Sequence, residues 1–157
     1  MSRTLLSVIK HILKYIVLFS VYGSIYFLIE CLYKGHMTHP LMFIIGGLIG
    51  VLIGLINNLF DMDTDFILQC LVGMMIVLLI ECVVGYQVNI MEHLKMWNYS
   101  KVPLNFVGGQ ICVPFAFAWF ILSGVCIILD DYLRYRLFDE DRPYYVLGDH
   151  IIQFFKL

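Results

Sequence analysis

The chain has 157 residues, of which 61% are hydrophobic and only 14% charged, with a mean hydropathy of +0.87. That composition excludes an ordinary soluble domain and predicts an integral membrane protein. A formal net charge of −2 with no large basic cluster leaves no electrostatic footprint for nucleic acid; the partner it does predict is the lipid bilayer.

In chain order, residues 2–14 place Leu5, Ile9, Ile12 and Leu13 on one helical face, with Arg3, Lys10 and Lys14 elsewhere. This pattern predicts a short basic amphipathic helix at an anionic membrane surface. The apolar run that follows is too long for a signal peptide and lacks a small-residue cleavage site. The first span is predicted over 13–33, where Ser20, Gly23, Ser24 and Phe27 lead at helical spacing to Glu30. The second, over 41–60, opens at Pro40 and carries Gly46, Gly50, Gly54 and Asn58 every fourth residue. One side of that helix is nearly bare, so another backbone can approach it, and it reads as the inner helix of a bundle.

A short acidic connection, Asp61–Asp65, makes the second and third spans antiparallel neighbours, with Asp65 placed to cap the third. That span is predicted over 66–89, with Gln69, Gly73, Glu81, Gly85 and Asn89 along one ridge. Residues 90–109 form the longest loop, where Trp97 and Tyr99 suit an interfacial aromatic belt. The fourth span is predicted over 110–129. Residues 130–157 mix charges with aromatic pairs and read as an interfacial, amphipathic cytoplasmic tail, with Asp130 and Asp131 at the solvated boundary. The expected fold is therefore all-α: a single membrane domain, a four-helix transmembrane bundle with amphipathic terminal segments.

Four spans put both termini on one side. Arg3, Lys10, Lys14, Arg134, Arg136, Arg142 and Lys156 fall there, against Lys34, Lys95 and Lys101 opposite. The positive-inside rule then makes the termini cytoplasmic and the protein multi-pass in the cell membrane. At ~1.5 Å per residue, Glu30 lies roughly 25 Å from Leu13 and Glu81 about 24 Å from Asp65, so both carboxylates come out near the outer loops. A carboxylate at that depth is a functional-site hypothesis by default. The candidate substrate- or ion-binding set is Glu30, His36, His39, Glu81, Trp97, Tyr99, Asn105 and Gln110, whose two carboxylates and two histidines suit binding a divalent metal, relaying protons or holding a cationic or polar ligand. The blander reading has Glu30 and Glu81 sharing a proton to fix the bundle. No residue is assigned as a metal ligand, and Cys31, Cys70, Cys82, Cys112 and Cys126 read as small buried hydrophobes. No phosphate-binding loop, nucleophile elbow or zinc-protease motif is present, so nothing predicts ATP, ester or peptide hydrolysis by this chain, nor a cofactor.

Several fragments carry a family likeness: Gly35-His36, Met42-Phe43-Ile44-Ile45-Gly46-Gly47, Glu81 with Gly85 and Asn89, and above all Trp97-Asn98-Tyr99-Ser100 with Pro103, Asn105 and Gly109-Gln110-Ile111-Cys112. From about Tyr22 to Tyr144 the chain resembles small bacterial membrane proteins of the Putative ABC-transporter type IV family. It departs at Asn98, where the family pattern has Asp. The resemblance implies a transporter membrane subunit working with a separate ATPase, and puts Glu30, Glu81, Trp97, Tyr99, Asn105 and Gln110 at its site. Three readings follow: a transporter-like component with an outward polar pocket, in which homo-oligomers are allowed; a membrane-embedded enzyme acting on a lipid-linked or outer-face substrate; or an assembly scaffold.

Overall fold

The computed structural model describes residues 3–154, with side chains from Leu5 onward; Lys156 and the side chain of Arg3 lie outside it. Four helices are long and apolar enough to cross a membrane among the described residues. The first, α1, runs unbroken from Arg3 to Lys34. A separate surface helix is therefore not formed: no Gly or Pro interrupts residues 3–22, and Lys14 is buried and ion-paired with Glu140 at 2.5 Å rather than lying at a headgroup surface. At ~1.5 Å per residue its 32 residues make about 48 Å, so α1 projects beyond a ~30 Å hydrocarbon core. Gly35, with φ +69, ends it in the left-handed turn that glycine tolerates.

Helix α2 (Leu41–Gly54) starts after Pro40 and breaks at Leu55, and a single turn α3 (Ile56–Leu59) completes the span. Half of the apolar window of this span is buried inside the protein, against 22–28% for the other three, so α2 is the central helix. Its glycine row explains how. Aromatic rings rather than a bare backbone lie on it: Tyr26 covers Gly46 and Tyr22 covers Gly50, while the carboxylate of Asp130 covers Gly54. A true backbone approach occurs beside the row, where a Cβ on Gly47 would come within 2.8 Å of the Phe19 carbonyl.

Asp65 caps α4 (Phe66–Gly85), its Oδ1 accepting from the Ile67 and Leu68 amides at 2.8 and 3.4 Å. The helix continues as a π-helical turn over Tyr86–Met91. The loop beyond it ends in a two-stranded ribbon, β1 (Asn105–Phe106) against β2 (Ile111–Cys112). This ribbon takes up the start of the expected fourth span, so α5 begins at Val113 and runs to Phe138. It overruns position 129 because Asp130, Asp131 and Arg134 are buried there, the first wholly so; they do not lie at a solvated boundary. The chain closes with a hairpin, β3 (Tyr145–Leu147) and β4 (His150–Ile152).

The bundle thus has two dressed ends. At the loop end sit residues 35–40 and 92–112; at the tail end the 61–65 connection meets the hairpin. Tyr145 is buried and donates to Asp131 Oδ2 at 2.9 Å, Tyr144 donates to Asp63 at 2.8 Å, and the Gly148 amide donates to Asp65 Oδ2 at 2.9 Å. Those amide donors, Gly148 first and then Ile67 and Leu68, hold the Asp65 carboxyl below its ordinary range.

Candidate functional site

Two carboxylates from different helices meet at the loop end. Glu30 on α1 and Glu81 on α4 line one small cavity with Tyr26, Met42, Ile45, Ile49, Trp97 and Tyr99. Its free volume, about 10 Å³, holds roughly one water molecule. Glu81 is 6% exposed; its Oε1 accepts from the Tyr99 hydroxyl at 3.1 Å, while its Oε2 is buried. The buried Trp119 indole N–H faces the same carboxylate. Burial, and then the charge of Glu81, push the Tyr99 phenol above its ordinary value, so it stays protonated and remains a donor.

The loop over this cavity is positioned by polar side chains whose job is structural. Gln110, buried, accepts from Asn89 Nδ2 at 2.8 Å through its side chain and from Trp97 Nε1 at 3.1 Å through its carbonyl. Asn89 Oδ1 in turn accepts from the Met96 amide at 2.6 Å. Asn105 Nδ2 donates to the Val102 and Ser100 carbonyls at 2.8 and 3.3 Å, and the Tyr99 amide donates to Gly109 at 2.7 Å. Asn98 Oδ1 accepts from the Ser100 amide at 2.8 Å. That bond needs an acceptor and not a charge, so an amide serves. The Tyr99 ring stacks on Phe115 with centroids 4.5 Å apart.

The structure therefore brings Glu30, Glu81, Trp97 and Tyr99 to one cavity and sets Asn105 and Gln110 behind the loop. It does not bring the histidines. His36 and His39 are exposed, each engaged with its own loop: His36 Nδ1 lies 2.9 Å from the Met37 carbonyl, and His39 Nδ1 accepts from the Leu41 amide at 3.1 Å. Among the described residues no group of three or more His, Cys, Asp or Glu side chains could hold a metal ion.

The family model for Putative ABC-transporter type IV matches residues 14–139, most of the chain. The chain belongs to that family. None of the curated proteins matches it, and none of the solved structures does. The matched segment of this family member includes both carboxylates and the whole loop, and leaves the C-terminal hairpin outside.

The family segment also contains a second polar group, in which Asn57 and Asn58 hydrogen-bond between helices as their position suggests, while Asp130, Asp131 and Arg134 are the members that sequence reasoning missed. At the tail end Arg134 Nε pairs with Asp130 Oδ2 at 2.5 Å, Arg134 Nη2 donates to the Gly54 carbonyl at 3.2 Å and Nη1 to Asn58 Oδ1 at 3.1 Å. Tyr22 donates to Asp130 Oδ1 at 2.5 Å, and Asn57 donates to Asp131 Oδ1 at 2.6 Å. Asn58, the last member of the predicted glycine row, thus holds an arginine and not a neighbouring helix backbone. Asn57, Asn58, Asp131, Arg134 and Glu140 line a polar cavity of about 290 Å³. The i,i+4 spacing of Asp130 and Arg134 was the available signal. Between the two ends an apolar cavity of about 120 Å³ is lined by Tyr22, Tyr26, Gly50, Trp119, Ser123 and Cys126 among others, and Tyr26 borders the loop-end cavity as well.

Proposed function

We propose that the protein is the membrane component of a transporter-like system that works with a separate ATPase subunit and takes a polar or cationic ligand at the loop end, through Glu30, Glu81 and the 90–110 loop. One observation carries this reading: a carboxylate-lined cavity at the loop end and a polar cavity at the tail end, with an apolar cavity between them, which is more than an enzyme with a cleft at one end needs and more than a scaffold needs. In this reading Trp97 and Tyr99 wall the ligand, while Asn105 and Gln110 hold the loop. The whole chain acts as one domain of a bacterial cell membrane, its termini and tail cytoplasmic and its loop end outside.

Two experiments test the proposal. A tagged copy solubilised from its own membrane should co-purify a subunit with an ATP-binding phosphate loop, identified by mass spectrometry; repeated recovery without one would remove the transporter reading. In vesicles carrying both subunits, Glu30→Gln and Glu81→Gln should each abolish ligand-dependent ATP hydrolysis while keeping the thermal midpoint, because the amide keeps the shape and removes the charge. Single variants that unfold, with a double variant that recovers, would make the pair structural instead.

The orientation rests on the seven-to-three division of basic residues across the membrane. Cysteines placed at the exposed positions Lys95 and Lys101 are expected to react with an impermeant thiol reagent added to intact cells, and one at Asp63 to stay unlabelled. The five native cysteines, buried or half-buried, set the background. The opposite labelling pattern would invert the protein.

A further inference from the structure

Lys34 entered the sequence reading only as a charge to be counted, yet its ammonium group has a full set of partners. Lys34 Nζ lies 2.6 Å from Glu30 Oε2, donates to Thr38 Oγ1 at 2.9 Å and donates to the Met96 carbonyl at 3.0 Å. An ammonium on a carbon chain has three N–H donors, and here one carboxylate, one hydroxyl and one carbonyl meet them from α1, the 35–40 loop and the 92–104 loop. Glu30 belongs both to this cage and to the adjoining cavity, whose other carboxylate, Glu81, is buried with no cation beside it among the described ion pairs. The remaining walls divide by chemistry. Tyr26, Trp97 and Tyr99 offer aromatic rings, which attract cations, and Met42, Ile45 and Ile49 offer alkyl contact.

We infer that the loop-end cavity takes a primary alkylammonium ion, and that Lys34 is a tethered stand-in for that ion which keeps the site shut until it arrives. The inference rests on the proposal that the loop end is a ligand site, and names its ligand class and its gate. With Lys34 seated, the cavity has room for roughly one water. An incoming amine replaces Lys34 on Glu30, gains Glu81 Oε2 as a second acceptor, and lays its alkyl group against Met42, Ile45 and Ile49. Displaced, Lys34 lets go of Thr38 and Met96, so binding releases both loops from α1.

The test titrates the purified full chain in detergent with ethylammonium chloride, against sodium chloride and tetramethylammonium chloride at equal ionic strength, following tryptophan fluorescence and the thermal midpoint. The wild type is expected to respond saturably to ethylammonium alone, since tetramethylammonium has no N–H and sodium has no alkyl group. Removing a tethered competitor present at millimolar effective concentration should lower the half-saturating ethylammonium concentration at least about tenfold in Lys34→Ala. Lys34→Met, which keeps the apolar stem, serves if the alanine variant does not fold, and Glu30→Gln added to either should abolish the response. Equal responses to all three salts, or no gain on removing the lysine, would overturn the inference. Loss of ATP coupling in Glu81→Gln without any amine response would sink the alkylamine and leave the transporter reading standing; an amine response in a protein with no ATPase partner would do the reverse.

Discussion

Arg134→Met is expected to destabilise the protein by ~3–5 kcal/mol, the cost of leaving one member of a buried ion pair unpaired. Asp130 is wholly buried and Arg134 is 4% exposed, so the carboxylate that loses its partner lies inside the protein. The substitution strips Asp130 of its guanidinium partner and takes the donors from the Gly54 carbonyl and Asn58 Oδ1 together. Asp130→Asn combined with Arg134→Met should recover a large part of the loss, because the charge goes with its counter-charge while Tyr22 keeps an oxygen to donate to. Unfolding in mixed micelles, followed by the midpoint in denaturing detergent, measures both. A single variant as stable as the wild type would show that the pair is not buried in the bilayer.

Gly50→Leu is expected to cost ~3 kcal/mol, at the upper end for forcing extra atoms into a packed site. A Cβ at this position already collides with the Cβ and ring of Tyr22. The ring cannot give way freely, since its hydroxyl is committed to Asp130 at 2.5 Å, so relief of the clash breaks a hydrogen bond to a charged group, itself worth ~1.5–3 kcal/mol. Gly50→Ala should show the same sign with a smaller size. An unchanged thermal midpoint for both would place this glycine against lipid and remove α2 from the centre.

Both effects depend on contacts that local pattern does not carry. The four spans were legible because a long apolar run is a sufficient condition for crossing a bilayer, and the Pro40 and Asp65 helix starts because turn and cap chemistry is local. The shared depth of Glu30 and Glu81 was legible too: a lone carboxylate in an apolar run stands out, and the rise per residue fixes its height. Asp130, Asp131 and Arg134 were not, since charges directly after an apolar run look like a solvated boundary. They are met by Tyr22, Asn57, Asn58 and Tyr145, partners that come from α1, from α3 and from the hairpin, and only the folded chain brings these together. The basic N-terminal segment misled for the same reason, as one of its lysines was reserved for Glu140. Lys34 was visible as a charge but not as an ammonium with three acceptors, because two of those acceptors sit on loops with no periodicity. His36 and His39 drew notice by residue type alone, and the Nδ1 of each is engaged by its own loop backbone.

The span from Lys14 to Glu140 also sets a sequence of events in time. Domains emerge from the ribosome N-terminus first, so α1 and α2 leave the insertion machinery before α5 has been made. Their glycine and aromatic surfaces can mate at once, but Lys14, Tyr22, Asn57 and Asn58 then wait for Asp130, Asp131, Arg134 and Glu140. A newborn chain therefore passes through a stage in which its first hairpin is assembled and its polar half is unmet. Tyr144, Tyr145 and Gly148, made after every span, are the ones that fasten the acids of the 61–65 connection and of α5. The hairpin that holds Asp63, Asp65 and Asp131 is thus made only after all four spans, so the tail end is the part of the fold completed last.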